Sequence, residues 1–143
     1  MARPNDPLFS PRKRKPAPFP FVLEALAALE PRTRLMFGCT AVYVGEKIVL
    51  FLRDRRTSTA DNGVWIATAR EHHASLRREM PSMRSVQLFM QRFGQQETDW
   101  QVLPADAADF ESSALHACDL ILAKDPRIGK VPKGKSSPAR QKG

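Results

Sequence analysis

The sequence predicts an α+β domain, a mainly antiparallel sheet of about five strands packed by three helices. Three observations carry that prediction. Two apolar, β-branched runs flank Gly45-Glu46 as a tight hairpin, two apolar stripes at helical spacing end at prolines, and the strands and helices alternate without the long crossovers of a parallel sheet. With 143 residues, 42% of them hydrophobic, the chain has the balance of one domain.

The first element is a short helix over Pro20 to Leu29, started by Pro20, stopped by Pro31 and striped by Val22, Leu23, Leu26 and Leu29. Cys39 to Val44 and Lys47 to Arg53 then form the hairpin, with Gly45 supplying a positive φ. In its second strand Ile48, Leu50 and Leu52 are expected to face one way and Val49 and Phe51 the other, which places it inside the sheet with both faces covered. A polar loop from Asp54 to Gly63 leads into a strand at Val64-Trp65-Ile66-Ala67. Thr68 and Glu71 have the spacing of a capping box, so a helix is expected from Ala69 to Met80 with Ala69, His73, Leu76 and Met80 buried. Ser85 to Phe89 and Trp100 to Leu103 read as two more strands, the second an edge. The last helix should be capped by Asp106, carry Asp109 in its first turn and close before Pro126. Phe110, Ala114, Cys118 and Ile121 would lie on one face, widened by Leu115, Ala117 and Leu122.

The formal charge is +8, but its distribution is uneven. Residues 1–20 hold five bases and one acid, residues 124–143 seven and one, and residues 21–123 eleven and thirteen. The organisation read from this is a flexible basic arm at 1–18, a folded domain at 19–129 and a flexible basic tail at 130–143. Arg12, Lys13, Arg14 and Lys15 in the arm, with Lys130, Lys133 and Lys135 in the tail, are the candidate nucleic-acid contacts. Flexible bases neutralise phosphates without fold-level complementarity. Arg53, Arg55 and Arg56 could add a patch beside the hairpin.

No catalytic constellation emerges. His72 and His73 point about 100° apart on a helix and do not share a metal; His73 reads as a packed core histidine and His72 as exposed. His116 and Cys118 are two apart and do not share a helix face. Cys39 and Cys118 read as buried free thiols of a reducing compartment. Neither GxxxxGK[ST] nor GxGxxG occurs, so no cofactor is expected. The bases before Phe19 copy the start of a signal peptide, but Pro16, Pro18, Pro20 and Glu24 interrupt the apolar run. No membrane span is expected, and the location read from this is cytoplasmic.

Met36-Phe37-Gly38, followed by the hairpin Ala41 to Leu50, resembles the N-terminal domain of the TfoX (Sxy) competence regulators. The likeness covers about residues 20 to 125 and looks closest to stand-alone members of the wider group that includes YjbR-like proteins. Cys39 stands where that pattern has a second glycine, and after Ile128 comes a basic tail in place of the regulators' second helical domain. The resemblance implies a curved antiparallel sheet packed by helices, like that of secretion chaperones, with Met36, Phe37 and Gly38 as a structural turn. It also implies no enzymatic activity and a role in transcription or competence through protein contacts. Two other readings stay open, a nucleic-acid binder acting through its tails and a small-molecule enzyme with a pocket near Cys118 and His116. A weak homodimer through an exposed edge at the last strand is a further expectation.

Overall fold

The computed structural model describes residues 17–88 and 99–132. Among the described residues six strands form one curved antiparallel sheet in the order β1-β2-β3-β4-β6-β5, and three α-helices are complete. The strands are β1 (Arg32–Met36), β2 (Cys39–Val44), β3 (Lys47–Arg53), β4 (Gly63–Ile66), β5 (Arg84–Ser85) and β6 (Gln101–Pro104). The helices are α1 (Pro20–Ala25), α2 (His73–Glu79) and α3 (Phe110–Leu122), so the predicted α+β class holds.

Both faces of the sheet are buried. One carries Val42, Leu50, Leu52, Val64, Ile66 and Leu103 against Val22 and Leu26 of the α1 segment, Leu76 of α2, and Ala114, Cys118 and Ile121 of α3. The other carries Cys39, Tyr43, Phe51, Trp65 and Val102, packed by Met36, Leu88 and Trp100. On that face the Phe51 and Trp100 rings stack with centroids 4.9 Å apart, and Trp65 lies tilted against both.

The β2–β3 hairpin has the predicted bounds, with Val44 opposite Lys47 and Gly45 at φ 62°. Its predicted alternation is corrected by a bulge. Val42 pairs with Leu50 but Tyr43 pairs with Ile48, which leaves Val49 without an opposite residue. One extra residue shifts the phase of everything beyond it. Val49 therefore joins Leu50 and Leu52 on the helix side, while Ile48 joins Phe51 on the other.

Other expectations are also corrected. The sheet has a strand that the sequence pattern does not predict, β1, which pairs with β2 from Arg32↔Tyr43 to Met36↔Cys39 and is exposed along most of its length. The last strand is no edge, because β6 lies between β4 and β5. Of the fourth predicted strand, Ser85 to Phe89, only Ser85 is extended, in β5 with Arg84; Gln87 and Leu88 are helical, and Phe89 lies outside the described residues. The capping box does not form. Thr68 Oγ1 donates to the Arg127 carbonyl at 2.7 Å, and a 3₁₀ turn at Arg70–His72 precedes α2. The first helix likewise stops at Ala25, and Ala27–Leu29 continues it as a 3₁₀ turn. Asp109, not Asp106, occupies the N-cap position of α3, and Leu115 on that helix is exposed.

The boundaries of the fold also move. Ala17 packs against the core, and Lys130, expected in the tail, is tied into the sheet. Its backbone exchanges two hydrogen bonds with Ile48, at 2.8 and 2.9 Å, and its ammonium lies 3.1 Å from Asp99 Oδ2.

Gly63 and Gly45 separate two kinds of glycine requirement. A Cβ on Gly63, at φ 143°, would overlap the Leu103 carbonyl oxygen and come within 2.9 Å of the Ala105 nitrogen, whereas one on Gly45 meets nothing within 4 Å. Gly63→Ala should therefore cost about 3 kcal/mol through overpacking against rigid backbone, and Gly45→Ala about 1 kcal/mol from φ alone, measured by urea denaturation.

Candidate functional site

The site is built at the open edge of the sheet and the turn that follows it. Met36 and Cys39 face each other, so Phe37 and Gly38 form a two-residue loop, with φ 55° and 76°. Positive φ at both positions is what the mirror-image hairpin turn requires. Gly38 supplies it without strain, but Phe37 does not, since an aromatic side chain in the left-handed region is uncommon. The residue is nevertheless 84% exposed, and Leu35 beside it is 64% exposed. They are the two most exposed large apolar side chains among the described residues.

The tip is held from behind by the loop after β3. Arg55 Nη1 donates to the Phe37 carbonyl at 3.2 Å, and a Cβ on Gly38 would overlap that guanidinium. Asn62 fixes Arg55 in turn, accepting from its amide and donating to its carbonyl, both at 2.9 Å. Arg53, expected from its charge in a solvated patch, is only 5% exposed. Its guanidinium donates to the Ser58 and Thr57 carbonyls and to Asn62 Oδ1, at 2.8 to 3.0 Å. The three arginines thus separate in role: Arg53 organises the loop, Arg55 clamps the tip, and Arg56 lines the surface.

Two hollows lie along β1. One, of about 740 Å³, is lined by Leu35, Met36, Phe37, Gly38, Asp54, Arg55, Arg56 and Thr57. The other, of about 310 Å³, is lined by Arg32, Thr33, Arg34, Tyr43, Glu46 and Pro132. In the second, the Arg32 guanidinium sits 5.4 Å from the centre of the Tyr43 ring and donates to the Gly45 carbonyl at 2.9 Å. Met36, Phe37 and Gly38 therefore share a hollow with Arg55 and Arg56. Arg12, Lys13, Arg14, Lys15, Lys133 and Lys135 lie outside the described residues.

The other buried or titratable groups have structural partners. Asp61, 1% exposed, accepts the Gln87 and Leu88 amides at 2.9 and 2.8 Å and pairs with Arg84. His73 is buried with Nε2 3.2 Å from the Asp99 carbonyl, while His72, expected to be exposed, is half-buried beside Glu71. His116 points at Glu79, 2.8 Å away, whereas Cys118 is buried toward the Val22 carbonyl. Burial pushes the Cys118 thiol up to about 11. It also pushes the Cys39 thiol up, against the pull of Arg53 and Arg55. Both cysteines are free, on opposite faces of the sheet. Among the described residues no three His, Cys, Asp or Glu side chains converge to hold a metal ion, and no helix is long and apolar enough to cross a membrane. A third cavity, of about 180 Å³, lies between Val49 and Ile121, and neither Cys118 nor His116 lines it.

No family model, curated protein or solved structure matches the chain.

Two outcomes test this geometry. Gly38→Ala should cost about 1 to 2 kcal/mol in the wild-type background and measurably less in Arg55→Ala, because only the first must displace the guanidinium. A double-mutant cycle by urea denaturation reads the difference. The second concerns the network that joins α2 to the end of α3. Arg127 bonds Asp125 at 2.8 Å and Glu79 at 2.9 Å, and its hydrogen bonds hold the Asp125 carboxyl down to about 2, from an ordinary 3.8. A depressed carboxyl stabilises the fold above its unfolded pKa and loses that contribution as pH falls through the folded value. Between pH 4 and 2 the wild type should lose stability more steeply than Asp125→Asn, read from thermal melts across that range.

Proposed function

We propose that this chain is a non-enzymatic interaction module that engages a protein partner through β1 and the Phe37 tip, and acts on transcription or competence through that partner. The observation that carries the reading is the pairing of Leu35 and Phe37, both exposed, on one edge strand and its turn. Large apolar side chains left outside a core this well filled mark contact surfaces when they cluster, and an edge strand adds unpaired backbone groups beside them. The left-handed Phe37 strengthens the case, since strained backbone persists where function holds it. The resemblance of Met36 to Leu50 to the TfoX N-terminal module supports the same class of action and adds the link to regulation.

A second reading, nucleic-acid binding by the tails, is favoured by one observation. Pro132 lines the hollow of Arg32 and Arg34, and the sequence that follows it is basic.

Phe37 separates stability from function. Asparagine tolerates the left-handed region, so Phe37→Asn should raise stability by about 0.5 to 1 kcal/mol. It should also reduce partner capture at least tenfold. A photo-reactive amino acid at position 35 or 37, with position 115 as the control, reads that capture in cells. The expected result is a discrete protein adduct at 35 and 37, absent at 115 and lost from 35 in the Phe37→Asn background. Equal labelling at 115, or undiminished labelling in Phe37→Asn, overturns the reading; a nucleic-acid adduct supports the second one.

A further inference from the structure

The same edge also specifies the partner's chemistry, given that β1 and the Phe37 tip meet a protein as proposed. β1 is a terminal strand of five residues, whereas the opposite edge, β5, has two. Short edges resist strand addition and long ones invite it. Along β1 the side chains alternate. Arg32, Arg34 and Met36 share the face of Tyr43, Ala41 and Cys39, and Thr33 and Leu35 share the opposite face with Val42 and Thr40. Neither the Arg34 side chain nor the Arg56 side chain at the Phe37 end makes a hydrogen bond or ion pair among the described residues. Two carboxylates, Glu46 and Asp54, line the hollows against the guanidinia of Arg32, Arg34, Arg55 and Arg56.

We propose that β1 is the docking edge for an extended acidic segment of a partner protein, which adds as a seventh strand with carboxylates at alternate positions over Arg32 and Arg34 and apolar residues between them over Leu35. Main-chain bonds to the edge supply affinity, and the alternation supplies specificity. Five strand residues span about 17 Å, so the segment runs from the Arg32 hollow to the Phe37 cleft, where Arg55 and Arg56 meet its end.

Two other occupants fit less well. A second copy pairing through β1 about Thr33 or Arg34 sets guanidinium opposite guanidinium, which is destabilising in a ladder. Single-stranded nucleic acid stacks successive bases on several open aromatic rings. Here Tyr43, Phe51 and Trp65 are buried, and Phe37 alone among the described aromatic residues is largely exposed.

Fluorescence anisotropy with the full chain tests this, using three labelled heptapeptides: Thr-Glu-Val-Glu-Val-Glu-Thr, the same with lysine for glutamate, and the acidic one with proline for both valines. The acidic peptide should bind at least tenfold tighter than the lysine peptide and weaken with salt. The proline peptide should lose binding, because in antiparallel addition the residues opposite Thr33 and Leu35 are the ones whose amides bond the edge. Arg34→Glu, and separately R32E/R34E with an unchanged melting temperature, should reverse the preference toward the lysine peptide. Equal binding of acidic and lysine peptides, undiminished binding of the proline peptide, or an unchanged preference in both variants overturns the proposal. So does a labelled single-stranded oligonucleotide that displaces the acidic peptide, or self-association by sedimentation that Arg34→Glu enhances. A protein adduct at position 37 without any charge preference in the peptides overturns the acidic strand and leaves the interaction reading standing; no adduct at 37 removes both.

Discussion

A sheet buried on both faces has only its edges and turns left with which to meet another molecule, and that constraint shapes everything observed here. Leu50 and Leu52 of β3 face the helices while Phe51 faces the aromatic layer, and all are nearly inaccessible. The same holds for Val64 and Trp65 of β4 and for Val102 and Leu103 of β6. The double burial ends at β1, whose neighbour β2 is buried while it is exposed itself. Apolar surface at this edge is therefore not surplus core, since the core closes without it.

The edge is presented by a frame of polar contacts, not by apolar packing. Arg53 and Asn62 wind the loop after β3 so that Arg55 reaches the Phe37 carbonyl. In the same loop Asp61 gathers the Gln87 and Leu88 amides and Arg84, and Trp65 Nε1 donates to the Asp61 carbonyl at 2.8 Å. Each of these groups would be costly to bury alone, and each is satisfied by several partners. Arg127 performs the same office between α2 and the end of α3, with Asp125, Glu79 and Ser75 around it.

The interior is legible in the sequence and the edge is not, for a physical reason. Alternating apolar residues and a glycine at the turn locate β2 and β3 to the residue, because burial leaves a periodic trace. Arg32 to Met36 leaves none: with both faces open, its side chains are free to be arginine, threonine or leucine. The bulge at Val49 is equally hidden, because register is decided by pairing across strands and not within one. Charge makes Lys130 and Arg53 look solvated, yet one is held by its backbone and the other by carbonyls, partners that side-chain identity does not reveal. Met36-Phe37-Gly38 reads as a turn only through the TfoX resemblance. That its phenylalanine stands outside the core in a left-handed conformation is not legible.

The central claim is that β1 is an open edge held ready for a strand. Amide hydrogen exchange of the free chain, resolved by residue, tests it most directly. Within Arg32 to Met36, alternate amides should exchange at least a hundredfold faster than those of Val49 to Leu52, since every second group of an edge strand faces water. Uniform protection of β1 at the level of β3 would mean that the edge is already covered, and would contradict the account.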